Sequence, residues 1–226
     1  MDLVYTGKTK NVYRLPDGNY LLEFKDDVTG EDGRIDPGSN FVLGKLEGKG
    51  MASLRMSHYF FELLRKNGVP THYVQADFER RAMIVKPAKT FGDGLEVVVR
   101  FKAYGSFLRR YGRYVQEFQP LDALVEITLK DDERGDPLIN DEALAQLGLM
   151  QPKEIQTVKA MARRVAGIIK EDFAARGLDL VDIKFEFGRL PDGIVVIDDI
   201  SGDNMRVFRG REQLLPLELS ALVTGS

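Results

Sequence analysis

Cysteine is absent from the 226 residues, and histidine occurs twice, at His58 and His72. The first absence excludes a disulfide framework and any thiolate metal site. The second leaves too few imidazoles for a zinc centre built on histidine. No Walker A or G-x-G-x-x-G fingerprint is present, and no G-x-S-x-G elbow or other pairing of a nucleophile with a base. No apolar run approaches membrane-spanning length, and the opening MDLVYTGKTK lacks the apolar core of a signal peptide. The expectation is a cytoplasmic enzyme or binding protein. A surplus of one charge is missing too: Lys and Arg number 32 against 35 Asp and Glu, for a formal net charge of -3. The cations are spread along the chain, which argues against a nucleic-acid binder but leaves room for a local basic pocket.

With 43% apolar and 30% charged residues, the chain has an ordinary globular composition. It is long enough to bury a substantial core. The first third reads as short strands, Leu3–Tyr5, Asn11–Arg14 and Tyr20–Phe24, the last two separated by a Leu15-Pro16-Asp17-Gly18 turn. Residues 26–50, glycine-rich and charged, read as a long loop. A helix is expected over Ser53–Asn67, with Leu54, Phe60, Phe61 and Leu64 on one face and Gly68 as its stop. Strands are expected near Thr71–Val74, Ala82–Val85 and Leu95–Phe101. The strongest helical periodicity follows Pro152, with Ile155, Val158, Met161, Ala162, Val165, Ile169 and Phe173 recurring before Gly177. A final hairpin joins Leu180–Phe187 to Ile194–Ile200. The pattern is that of an α+β chain, with a cleft between two lobes hinged near Lys86-Pro87.

Three segments offer chemistry. In VDIKFEFGR, Asp182, Lys184 and Glu186 alternate with Ile183, Phe185 and Phe187, so one face of a strand is charged. The return strand carries Asp198 and Asp199. If the connecting loop holds an odd number of residues, Asp198 joins Glu186 and Lys184 on one face, and two carboxylates there suit Mg²⁺ with phosphate oxygens. A solvated Lys–Glu face explains the same pattern. Lys8 and Lys10, two apart beside Gly7, would point the same way in an extended chain, as would suit a polyphosphate or an ordinary exposed strand. Lys86 could likewise reach a phosphate or merely end a strand. Arg100 with Gly105-Ser106 at a helix start, and Arg206 further on, have the makings of a monophosphate site, with Ser106 as a plain N-cap the alternative. The acidic stretch Asp131–Asn140 reads as a turn, with Asp141 capping a helix.

Taken in order, YTGKTKNVY (5–13), LLEFKDDVTGEDG (21–33), VPTHYV (69–74), EVVVR (96–100), GS (105–106), LKDDERGDPLIN (129–140), LVDIKFEFGR (180–189) and VVIDDIS followed by Arg206 resemble the phosphoribosylaminoimidazole-succinocarboxamide synthase (SAICAR synthetase) family across nearly the whole chain. The resemblance implies a two-lobe α+β fold: a strand-rich N-terminal ATP-binding lobe over 1–86 and an ATP-grasp-like lobe over 87–226, with ATP between them. It implies an ATP- and Mg²⁺-dependent ligase of purine biosynthesis, which joins carboxyaminoimidazole ribotide to the amine of L-aspartate through an acyl phosphate. On this resemblance Lys8, Lys10, Asp182 and Lys184 are catalytic. Lys8, Lys10, Lys86, Lys184, Glu186 and Asp198 bind ATP, with Glu186 and Asp198 also the metal ligands. Asp32, Arg100, Ser106 and Arg206 bind the substrate. The implied partners are small molecules rather than nucleic acid or membrane, with assembly into a homo-oligomer left open.

Several positions depart from the family pattern. Ala52 and Ser53 stand where a paired Asn is usual, Arg100-Phe101 replaces Arg-Asn, and Ala103-Tyr104-Gly105-Ser106 replaces Ala-Ala-Gly-Ser. Ser201-Gly202-Asp203 replaces Ser-Pro-Asp, the 34–50 loop is long, and the tail is short, without a final charged helix. Several of these are expected where the heterocycle or amine should sit. That leaves two alternatives: a divergent member acting on a related ribotide or amine, or a nucleotide-binding sensor without turnover. A kinase-like phosphotransferase is disfavoured by the lack of H-R-D and D-F-G segments.

Overall fold

The computed structural model describes residues 1–225 apart from Asp32, Gly38 and Asn40. The chain divides into two compact units, the first comprising Met1–Ala88, Asp199–Asn204 and Leu214–Ser226, the second Lys89–Asp198 and Met205–Gln213. Where a single C-terminal segment was expected from residue 87, two later stretches return to the first unit.

In the first unit, β1 (Asp2–Thr6), β2 (Lys10–Arg14) and β3 (Tyr20–Phe24) are followed by β4 (Asp27–Glu31), β5 (Arg34–Ile35) and β6 (Val42–Lys45). Then come α1 (Lys49–Lys66), β7 (Tyr73–Asp77) and β8 (Ala82–Val85). A five-stranded antiparallel sheet runs in the order β1-β2-β3-β8-β7. Much of the region expected to be loop instead forms a three-stranded sheet, β5-β4-β6, in which Val28 pairs with Gly44 and Thr29 with Val42. Backbone ladders hold these short strands together, so glycine and charged residues can build them without an alternating apolar pattern.

Helix α1 buries Leu54, Phe60, Phe61 and Leu64, as its periodicity predicts. It stops at Gly68, which adopts a left-handed φ of +65°. Its start lies four residues before the expected Ser53. Gly48 turns the chain in with a φ of +83°, and Asp26 Oδ1 accepts from the Gly50 N–H at 2.8 Å. The cap therefore comes from a carboxylate 24 residues upstream, where no local signal could show it. Burial alone would raise the Asp26 pKa, but the Gly50 N–H and the Arg81 guanidinium outweigh it and hold the carboxyl below the usual range.

In the second unit, β9 (Lys89–Thr90), β10 (Leu95–Lys102), α2 (Gly105–Tyr111) and β11 (Pro120–Leu129) precede α3 (Asp141–Gln146) and α4 (Pro152–Ala174). Then follow β12 (Asp179–Leu190), β13 (Gly193–Ile197), β14 (Met205–Arg209) and β15 (Glu212–Gln213). The sheet runs β11-β10-β12-β14-β15, with β9 and β13 also paired to β12. Asn140, rather than the expected Asp141, caps α3 by accepting from the Ala143 N–H at 2.8 Å. Helix α4 packs on β10, β11 and β12. It buries Ile155, Val158, Ala162, Val165, Ile169 and Phe173, while Val97, Val99, Ile183 and Phe185 are buried on the sheet. Each large side chain so covered contributes about 1.5–3 kcal/mol.

The returning tail forms α5 (Pro216–Thr224) in the first unit. Its Ser220 hydroxyl donates to the Ala52 carbonyl at 3.1 Å. A Cβ at Gly202 would come within 3.1 Å of Pro216 Cα. Among the described residues no helix is long and apolar enough to cross a membrane.

A Cβ added at Gly50 would lie 2.9 Å from the Phe24 carbonyl oxygen and 3.0 Å from that of Lys25. Replacing a helical glycine by alanine ordinarily stabilises by up to about 1 kcal/mol. Here the backbone contact reverses the sign, and Gly50→Ala should destabilise by about 1–3 kcal/mol in urea unfolding.

Candidate active site

Strand register makes the polar face of the second unit's sheet. Arg100 on β10 lies opposite Asp182 on β12, which lies opposite Arg206 on β14. Two residues along, Val98 faces Lys184; two further, Glu96 faces Glu186. Because side chains alternate, these even-numbered residues share one face, while Val97, Val99, Ile183 and Phe185 turn to the opposite, helix-covered face. Phe101 belongs to that buried face too, 4.3 Å beneath the Lys170 ammonium. It therefore lies away from the polar row.

Asp182 is the centre of a buried ionic network. Arg100 Nη1 donates to Asp182 Oδ2 at 3.0 Å, and Arg206 Nη1 donates to both carboxylate oxygens at 3.0 and 2.8 Å. The remaining edges of Arg100 are engaged as well: Nε donates to Glu126 Oε2 at 2.6 Å and Nη2 to the Ser106 hydroxyl at 2.9 Å. Asp182 is thus occupied in orienting two guanidiniums. Glycine at 105 has two causes. Its φ is +54°, and a Cβ there would stand 3.0 Å from Arg206 Cζ. The pairing of Gly105 with Ser106 reflects the close passage of Arg206 over the backbone.

Further along β12, Lys184 Nζ donates to Glu96 Oε1 at 2.6 Å, and Lys130 Nζ to Glu186 Oε1 at 2.5 Å. Burial would lower the Lys184 pKa, but Glu96 by charge and hydrogen bond, with help from Glu186, more than offsets it and raises it. Glu186 is pushed up, first by burial and then by the charge of Asp198. The hairpin register differs from the odd-loop expectation. Leu190 pairs with Gly193, leaving Pro191 and Asp192 as a two-residue turn, and Glu186 faces Ile197. Asp198 lies one residue beyond the strand in a left-handed conformation, φ +65°. That departure from strand geometry, rather than strand parity, brings its charge to bear on Glu186. Glu186 and Asp198 are a pair of like charges whose repulsion a hard divalent cation would relieve. Among the described residues no group of three or more acidic or histidine side chains is arranged to hold a metal.

The first unit gathers a second set of charges. Lys10 pairs with Asp199, which also accepts from the Ser201 hydroxyl. Lys49, wholly buried at the start of α1, pairs with Asp203, which takes a further hydrogen bond from Ser53 at 3.2 Å. The Asp203 pKa is raised by burial, against the pull of Lys49, and the nearby Asp199 adds to the rise. Lys8 and Lys10 do not share one extended strand. Gly7 N–H donates to the Lys10 carbonyl at 2.8 Å across the tight β1–β2 turn, placing Lys8 in the bend and Lys10 on β2. Lys25 braces this turn through the Gly7 and Lys8 carbonyls, both at 3.1 Å. Lys86 is exposed just past β8. Asp32 lies outside the described residues.

The structure therefore unites Arg100, Ser106, Asp182 and Arg206, and separately Lys184, Glu186 and Asp198. Sequence reading missed Lys49, Glu96, Glu126, Lys130 and Asp203, each the ionic partner of another charged residue. The even spacing of Glu96 with Arg100, and of Glu126 with Leu124 opposite Arg100, was the available signal.

The family model described as SAICAR synthetase matches residues 3–214. A phosphoribosylaminoimidazole-succinocarboxamide synthase of Clostridium tetani is 51% identical over 225 residues, covering 99% of each chain. Among solved structures, a SAICAR synthetase in complex with ADP superposes with a TM-score of 0.87 at 31% identity, covering 99% of this chain and 98% of that one. The SAICAR synthetase of Pyrococcus horikoshii superposes with a TM-score of 0.84 at 30% identity, covering 96% and 98%.

The Lys49–Asp203 pair gives an asymmetric prediction. Asp203→Ala strands a buried ammonium and should cost about 3–5 kcal/mol. Lys49→Met leaves a carboxyl that is already inclined to hold a proton and still has Ser53, so its cost in urea unfolding should be clearly smaller.

Proposed function

The chain belongs to the SAICAR synthetase family, and from that premise we propose that it is an ATP-dependent ligase of purine biosynthesis joining the carboxylate of carboxyaminoimidazole ribotide to the amine of L-aspartate. The single observation that carries the assignment of sites is the row order on β12. Asp182, with its two arginines, and Glu186, with its two lysines nearby, lie four positions apart on one face. That spacing is about 13 Å along a strand, a length suited to a ribotide held by its phosphate at one end with its carboxylate near the other. Arg100, Ser106 and Arg206 are the phosphate donors in this reading, and Asp182 orients the arginines. Asp32 is assigned to the substrate by the family resemblance alone.

A carboxylate resists attack because the nucleophile must add to an anion with oxide as leaving group. In the proposed reaction a carboxylate oxygen attacks the γ-phosphorus of ATP, and the bond to ADP breaks with its electron pair leaving on ADP. The aspartate amine then adds to the acyl carbon, the carbon–oxygen bond to phosphate breaks, and the nitrogen loses a proton. The products are the amide, ADP and phosphate. Mg²⁺, held by Glu186 and Asp198, would supply positive charge against the phosphate oxygens. Lys184, kept protonated by Glu96, is a fixed positive charge beside them. Lys8, Lys10 and Lys86 carry the nucleotide-binding roles that the resemblance implies, with Lys10 held in place by Asp199. The partners are these small molecules, and the location is the cytoplasm.

The test is ADP release by the purified protein with Mg–ATP, the ribotide and L-aspartate, leaving out each in turn. ADP formation that needs all three, with the succinocarboxamide product identified by mass, is expected. Retained Mg–ATP binding without turnover would sink the reaction as stated and favour a different carboxylate, a different amine, or a sensor. Gly105→Ala, by forcing Arg206 aside, should raise the ribotide KM about tenfold or more and leave the ATP KM unchanged.

A further inference from the structure

We infer that Arg110 is an additional binding residue for the ribotide phosphate, held at the pocket by Glu126; this rests on the phosphate-site reading above. Charge is the first argument. Arg100 and Arg206 carry two positive charges, and Asp182 and Glu126, which pair with them, carry two negative ones. These four buried groups cancel. A phosphate monoester near neutral pH carries about -1.5 to -2, and a neutral buried network offers it hydrogen bonds but no net attraction. Arg110, the next cation in contact, makes the cluster positive.

Geometry is the second argument. Glu126 Oε2 accepts from Arg100 Nε and from Arg110 Nη2, both at 2.6 Å, so the two guanidiniums meet on one oxygen. Arg110 stands four residues after Ser106 on α2, where side chains share a face, and Ser106 is itself bonded to Arg100. Exposure is the third. The Arg110 side chain is 32% accessible against 4% for Arg100 and 7% for Arg206, so it is the guanidinium of the three that is open to an incoming anion. Three of the five N–H donors of Arg100 are already spent, whereas Arg110 has one such bond within the network. Glu126 is then a positioning residue: it fixes the Arg100 fork edge-on and keeps Arg110 next to it, so that a phosphate entering above Ser106 meets both. Arg109, adjacent on the helix, takes no part in this network.

The test compares the full-length wild type with Arg110→Gln, Arg110→Lys and Arg109→Gln. Steady-state kinetics would be followed with the ribotide, with the corresponding nucleoside lacking the phosphate, and with inorganic phosphate as competitor. Arg110→Gln should raise the ribotide KM and the inorganic phosphate Ki about 10- to 100-fold, with kcat and the ATP KM near wild type. Its kcat/KM for the nucleoside should match that of the wild type. Arg110→Lys should recover part of the loss, and Arg109→Gln should behave as wild type. A ribotide KM unchanged in Arg110→Gln, in an enzyme that prefers ribotide to nucleoside, would overturn the role of Arg110 alone. A wild type that uses nucleoside as well as ribotide would remove the phosphate-site reading and this inference with it. An equal loss on nucleoside and ribotide would mark Arg110 as structural and likewise overturn it.

Discussion

Burying a carboxylate as deeply as Asp182 is costly unless positive charge and hydrogen-bond donors meet most of its lone pairs. Arg100 and Arg206 do so from the two flanking strands, and each in turn needs that carboxylate to compensate its own burial. Removing one member strands the others, so the three positions behave as one unit. The cluster exists because the β10–β12 and β12–β14 ladders are in register there. The rest of the polar face follows from that alignment. Once Arg100 is opposite Asp182, Val98 must be opposite Lys184 and Glu96 opposite Glu186, and the diagonal Lys184–Glu96 pair falls into place. The same alignment drives the alternate residues into the layer beneath α4, so core packing and site geometry are two readings of one register.

Much of this was legible beforehand, for a physical reason. Local periodicity announces itself in VDIKFEFGR, where charge and apolarity alternate, and in α4, where apolar residues recur at helical spacing. The less legible features depend on residues far apart in the chain. The start of α1 is set by Asp26, the turn bearing Lys8 by Lys25, and the buried Lys49 by Asp203. A sequence shows each partner as an ordinary surface charge until the fold brings them together. The 26–50 region failed for a different reason. Its strands pair through backbone groups and need no alternating pattern, so their composition resembles that of a loop.

The departures from the family pattern sort by location. Phe101 is a core residue under α4 and leaves the polar row unaltered. Ala52, Ser53 and Gly202 belong together in the first unit. Ser53 reaches Asp203, the carbonyl of Ala52 accepts from Ser220 on α5, and Gly202 leaves room for Pro216 at the start of the same helix. All three lie within the first unit, and the charges of the polar row are untouched by them.

The stretch from Asp198 to Arg206 joins two strands and would ordinarily be counted a loop, the part of a protein most forgiving of changes in length. Here both of its ends are fixed, one by the left-handed backbone at Asp198 and the other by the parity of β14. Asp198 must leave β13 at a set point to reach Glu186, and Arg206 must enter β14 on the even side to meet Asp182. A single inserted residue that shifted β14 by one position would turn Arg206 toward the apolar layer and bring a neighbour such as Val207 into the polar row. The two-residue turn at Pro191-Asp192 carries no such burden on its own side chains. Insertions and deletions accumulating during divergence should therefore be confined to the surface turns and excluded from this connection, whose length is held as tightly as the sequence of a core strand.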